Sequence, residues 1–190
     1  EAVCDVFHID IMDGCNMPAV YMGYHDFCCV SNNTAKPVDV QLYVNNHFPL
    51  IDIFESAGAD IIYIQADSPV VVASAISQVR AAGCKPGLGI SYGTSIEYVQ
   101  DLLYMVDYAI LVTAPHVKPR KFATHCWDKV EKLLEYRQNT PFNIILDGGI
   151  GLQEICKGNK LSVNGYVLCT VSLFNVSRDI YVKPIALSRD

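Results

Sequence analysis

The chain has 190 residues, 51% of them hydrophobic and 18% charged, with 20 acidic against 14 basic side chains and a formal net charge of −6. A single domain over 1–190 suits that length, and a chain so apolar with so few charges is neither disordered nor of low complexity. The acidic balance leaves no broad cationic face for a nucleic-acid backbone, and no apolar run approaches the roughly 18 residues that cross a bilayer.

Two hydrophobic periods alternate along the chain. Short β-rich runs are predicted at Val6–Met12, Val38–Val44, Ile61–Ala66, Gly87–Ser91, Tyr108–Ala114, Phe142–Leu146 and Tyr166–Val171. Most are apolar throughout, as strands covered on both faces should be. Stripes with helical spacing lie between them. Val71, Val72, Ala75, Ile76 and Val79 make one; Ile96, Val99, Leu102, Leu103 and Val106 make the next; Phe122, Cys126, Val130, Leu133 and Leu134 make a third. Gly58 and Gly83 sit where left-handed C-caps should close helices before the next strand. Beyond Leu173, Pro184 limits the last segment to a short helix about Val176–Val182.

Strand–helix–strand repetition predicts parallel βαβ units with right-handed crossovers, hence a doubly wound sheet or a (β/α)8 barrel. A doubly wound dinucleotide fold should open with a glycine fingerprint, but here the first run continues into Met12-Asp13-Gly14-Cys15-Asn16-Met17-Pro18. The expectation is therefore an α/β (β/α)8 TIM barrel whose first βα unit is missing from the chain. Eight cysteines, at 4, 15, 28, 29, 84, 126, 156 and 169, show no CxxC pair. They read as reduced thiols acting as small hydrophobes, and with no basic leader at Glu1-Ala2-Val3-Cys4 a cytoplasmic location is expected.

A parallel barrel does its chemistry at the C-terminal ends of its strands. His8 and Asp10 stand on one face of the first strand, Gln41 lies within the second run, and Asp147 closes Asn143–Leu146. Two carboxylates on opposite walls suit removal of a proton from one face of a carbon and its return to the other, and a divalent metal would stabilise the enediolate. His8-x-Asp10 reads equally as a buried hydrogen-bonded pair, and Asp147-Gly148-Gly149 also reads as a tight turn with an N-cap.

His8-Ile9-Asp10-Ile11-Met12-Asp13-Gly14 with Pro18 resembles the second-strand signature of the ribulose-phosphate 3-epimerases. The likeness continues through Asp39–Val44, Ala57-Gly58-Ala59-Asp60, Gly83–Leu88, Gly93-Thr94-Ser95, Met105-Val106-Asp107 and Leu146–Gly151. The resemblance implies a TIM barrel acting on a sugar phosphate, with Asp10 and Asp147 as the acid–base pair. It implies that His8, Asp10 and Asp147 hold a divalent metal, Zn or Fe. Met12 matches a methionine that floors the pocket, and Gly148 and Gly149 match part of a phosphate cradle. The family resemblance also implies a homo-oligomer joined through barrel faces.

The departures are specific. Gln41 replaces the family's fourth ligand, a histidine, and an amide oxygen is the poorer ligand. The glycine-rich loop expected after the sixth strand reads Thr113–Lys121, so His116, Lys118, Arg120 and Lys121 offer side-chain charges instead, or simply a solvated cationic loop. Thr170-Val171 replaces a Gly-Ser, leaving Thr170 as a phosphate-site candidate, and Tyr43 and Val112 replace methionines. Three functions follow: a carbohydrate-phosphate 3-epimerase, an inactive epimerase-like barrel acting as a scaffold, and a metal-free enzyme using Lys85 or His116. The metal-free reading ranks last, because Lys85 starts its strand, on the stability face of the barrel.

Overall fold

The computed structural model describes residues 4–116 and 120–169. Lys118, Thr170 and the expected helix at Val176–Val182 lie outside the described residues. In chain order the elements are β1 (Phe7–Asp13), β2 (Val20–Tyr21), α1 (Tyr24–Ser31), β3 (Val38–Tyr43), α2 (Phe48–Ser56), β4 (Ile61–Gln65) and α3 (Val72–Ala81). They continue with β5 (Lys85–Ile90), α4 (Ile96–Leu103), β6 (Tyr108–Val112), α5 (Cys126–Arg137), β7 (Asn143–Asp147), α6 (Leu152–Lys160) and β8 (Gly165–Val167).

All described strands join one sheet in the order β2-β1-β3-β4-β5-β6-β7-β8, parallel from β1 through β8. Each predicted run has a strand within it, but of Tyr166–Val171 only Tyr166 and Val167 belong to β8, Leu168 and Cys169 are not strand, and 170–171 lie outside the described residues. The sequence pattern missed β2, a two-residue antiparallel partner that folds back on Met12 and Asp13. Its side chains are exposed, so no burial pattern announces it. Two helices were likewise unannounced, because each buries so few residues: Phe27 in α1, Ile155 and Gly158 in α6; α2, which buries Ile51 and Phe54, was marked only by its closing Gly58. Phe122 is not on the third stripe's helix. It precedes α5 and stacks on Trp127 with ring centroids 4.9 Å apart.

The sheet divides the buried side chains into two populations. Ile9, Ile11, Val40, Leu42, Ile62, Ile64, Leu88, Leu111 and Leu146 face outward into the layer shared with the helices. Alternate residues face inward, where Ile61, Tyr63 and Ile110 cluster at one level and Met12, Tyr43 and Val112 at another. Met12 and Val112 belong to strands with three others between them in the sheet order, so their contact requires the sheet to curl. This is the (β/α)8 architecture. Lys85 lies exposed at the start of β5, away from the strand ends.

Only Cys84 and Cys126 are buried, whereas Cys15, Cys29, Cys156 and Cys169 are exposed, which corrects the expectation that most cysteines serve as core hydrophobes. No disulfide joins any of them among the described residues. No described helix is long and apolar enough to cross a membrane.

Candidate functional site

β1 carries the first part of the site. Ile9 and Ile11 anchor it against the helices, which turns His8, Asp10 and Met12 toward the barrel interior. Asp147 arrives from the end of β7. Four strands separate β1 from β7 in the sheet order, yet His8, Asp10 and Asp147 each present a ligand atom within 4.8 Å of the others. Curling of the sheet brings them together.

His8 is oriented by a residue that sequence reasoning did not single out. Its Nδ1 lies 2.5 Å from Asp39 Oδ1, and its Nε2 lies 3.3 Å from Asp10 Oδ1. Asp39 sits beside His8 in the β1–β3 ladder and is only 6% exposed. A signal was present: Asp39 stands two residues before Gln41, so both leave the same face of an otherwise apolar strand. In the neutral ring, with the Nδ1 proton donated to Asp39, the Nε2 lone pair is left for an electrophile.

The electrostatics follow from crowding. Burial and the like charge of Asp10 push Asp147 from 3.8 up to about 7, against the opposing pull of His8 and Arg120. Burial works to lower His8, but the carboxylates of Asp39 and Asp10 more than offset it and hold the imidazole well above its ordinary value. Three carboxylates around one imidazole make a region that attracts positive charge.

Several buried polar atoms here lack a well-formed hydrogen bond: both amide atoms of Gln41 and of Gln65, the Tyr43 hydroxyl, and His8 Nε2 and Asp10 Oδ1, whose one contact is the 3.3 Å approach to each other. Leaving one such group unsatisfied costs on the order of 1–3 kcal/mol, so their gathering in one interior marks a site rather than a packing core. The donor set also fits a divalent cation. Ligands of one Zn²⁺ or Fe²⁺ at about 2.1 Å each stand at most about 4.2 Å apart, so small side-chain rotations suffice to close His8, Asp10 and Asp147 on one ion. Gln41 adjoins Asp10 in the ladder, fully buried.

The remaining candidates line the mouth. Met12 packs with Tyr43 and Val112, with Met17 and Ala19 against them from the loop after β1. His116 stands edge-on to Tyr43 with centroids 5.0 Å apart, and Arg120 Nε donates to its carbonyl at 3.2 Å. Burial lowers the His116 imidazole's proton affinity, which Asp10 opposes. Asp13 ties the loops together: its carboxylate accepts from the backbone N–H of Cys15 at 2.8 Å and of Asn45 at 2.9 Å.

Gly148 and Gly149 follow Asp147 directly, in a turn with φ of +103° and +67°. The Thr113 hydroxyl donates to Gly148 O at 2.5 Å, and a Cβ on Gly149 would come within 2.4 Å of Phe122 N. Close packing of the β6 and β7 loops thus demands glycine at 149. The N-cap of α6 is Gly151, whose N–H donates to Glu154 at 3.0 Å, so Asp147 does no capping and its carboxylate stays in the barrel.

The chain matches the ribulose-phosphate 3 epimerase family model over residues 1–172. Ribulose-phosphate 3-epimerase of Treponema pallidum is 30% identical over 151 residues, covering 78% of this chain and 69% of the relative. That of Aquifex aeolicus is 28% identical over 156 residues, covering 80% and 70%. Among solved structures, 3-hexulose-6-phosphate synthase from Salmonella typhimurium superimposes with a TM-score of 0.71 at 17% identity, covering 97% of this chain and 86% of that one. The tryptophan synthase complex from Pyrococcus furiosus gives 0.64 at 14%, covering 99% and 86%.

Proposed function

Because the chain belongs to the ribulose-phosphate 3 epimerase family, we propose that it epimerises a pentulose or hexulose phosphate at the carbon next to the ketone. One observation carries this reading: Asp147, far in sequence from His8 and Asp10, presents a ligand atom within 4.8 Å of theirs inside the barrel.

The residues divide the work as follows. Asp10 and Asp147 reach the reacting carbon from different strands, so one carboxylate takes the proton from one face and the other acid returns a proton to the opposite face. Inversion needs two groups on two walls, and β1 and β7 supply them. His8, held by Asp39, lends its free nitrogen to the same locus. His8, Asp10 and Asp147 would hold a divalent cation, with Gln41 as a weak fourth donor, and the bound cation would supply Lewis-acid stabilisation of the enediolate oxygens. Met12, Val112 and the ring of Tyr43 give the site an apolar lining that excludes water from the carbanionic centre. For the phosphate, the Gly148–Gly149 turn and His116 are the described candidates, with Lys118 and Thr170 beyond them.

A second reading, a barrel that binds ligands without turnover, is favoured by Gln41 standing where the family resemblance implies a histidine. One experiment decides between the two. The purified chain is loaded with Zn²⁺, Fe²⁺ or Mn²⁺ and incubated in D2O with ribulose 5-phosphate and, separately, with a 2-ketohexose 6-phosphate. Deuterium at C3 and formation of the epimer, both abolished in Asp147→Asn, are expected. Absence of both with every metal and either substrate overturns the epimerase reading and leaves the binding one.

A further inference from the structure

Beyond the His8–Asp10–Asp147 trio, the barrel interior holds a second set of polar atoms that no protein group satisfies. Both amide atoms of Gln65 and the hydroxyl of Tyr43 belong to it, and the two side chains are at most 1% exposed. They are neighbours by register. Leu42 pairs with Ile64 on the outward face, so the next residues along β3 and β4, Tyr43 and Gln65, both turn inward at the strand ends.

Space has been made for Gln65. Its ladder partner on β5 is Gly89, and a Cβ there would come within 2.4 Å of the Gln65 amide nitrogen. The amide therefore lies across β5 over a residue with no side chain. Tyr43 is fixed from the other side by Met12 and Val112 and by the edge-on ring of His116. Two polar groups are thus rigidly placed and buried, with their hydrogen-bonding capacity unspent.

We infer that Gln65 and Tyr43 form a specificity-determining subsite that reads a hydroxyl group on the carbon chain of the ketose phosphate. The inference rests on the sugar-phosphate reading above and deepens it. The chemistry chooses the ligand: an amide and a phenol together offer neutral donors and acceptors, which a hydroxyl matches in both directions. A phosphate would call for cationic partners, and an apolar ligand would leave every one of these atoms unpaired.

A substrate–enzyme cycle tests it. Equilibrium binding of ribulose 5-phosphate and of its 1-deoxy and 4-deoxy analogues is measured calorimetrically on the metal-loaded chain, on Gln65→Leu and on Tyr43→Phe, with circular dichroism melts confirming that each variant folds. The wild type should bind one of the two analogues at least about 10-fold more weakly than the parent, since a site built for a hydroxyl rejects a ligand lacking it. Gln65→Leu should lose a similar factor for the parent and no longer distinguish it from that analogue, and Tyr43→Phe should show the same trend. Wild-type affinity and discrimination in both variants, or equal binding of all three ligands by the wild type, overturns the subsite. Turnover is scored separately. Epimerisation without discrimination removes the subsite alone, and discrimination without epimerisation removes the epimerase reading alone.

Discussion

Asp39 and His8 are paired across neighbouring strands, with Asp39 Oδ1 2.5 Å from His8 Nδ1, so a buried carboxylate sets which nitrogen of the imidazole faces the site. The histidine's other nitrogen then points toward Asp10, 3.3 Å away, and Asp147. A carboxylate behind a ligating histidine fixes the tautomer and strengthens the ligand.

Asp39→Asn keeps the shape of that partner but removes its charge. Affinity for Zn²⁺, measured by competition with a chelator, should fall by about 10- to 100-fold. Secondary structure should be unchanged. Unaltered affinity would mean that Asp39 orients nothing.

Gln41→His places an imidazole beside Asp10 and removes two partnerless amide atoms from the interior. Imidazole is the better ligand for Zn²⁺ and Fe²⁺, so metal affinity should rise by about 10-fold or more, read by the same competition assay. The gain should be small in a background lacking His8.

Without metal, Asp147 makes stability depend on pH in a definite direction. The group titrates near 3.8 when free and at about 7 in the folded chain, so between those values the folded state binds more protons than the unfolded state. Stability is therefore lost as pH rises from about 4 to about 7. Raised His8 acts in the same sense, its contribution being present below its ordinary value of 6.5 and lost above its folded one. Thermal melts of the chelator-treated protein should show a falling Tm across that range. The fall should be shallower in Asp147→Asn and should be countered by added Zn²⁺.

Gly149→Ala meets two obstacles at once, a φ of +67° and a Cβ within 2.4 Å of Phe122 N. Urea unfolding should show a loss of about 1–3 kcal/mol or more. Gly93→Ala, where a Cβ meets nothing within 4 Å, is the control and should lie close to wild type.

Much of the fold was legible because the strands of a parallel barrel are covered on both faces. Runs such as Ile61–Gln65 are buried at every position and announce themselves by composition alone. Helices that bury a wide stripe were legible too, as Ala75, Ile76 and Val79 of α3 were. Helix α1 was not, since only Phe27 on it is buried. The two-residue β2 is held by backbone pairing with Met12 and Asp13, which leaves no mark on side-chain pattern.

The sequence alone determined which residue types could do chemistry, since His8, Asp10, Gln41 and Asp147 interrupt strands that are otherwise apolar and a strand's period of two assigns each to a face. The tertiary structure decided which of them meet. Asp39 was readable only as another inward carboxylate until the β1–β3 register set it against His8, and Gln65 as a polar strand end until Gly89 gave its amide room. Register and curvature arise from contacts among many strands at once, so no local stretch of sequence encodes the distances they produce.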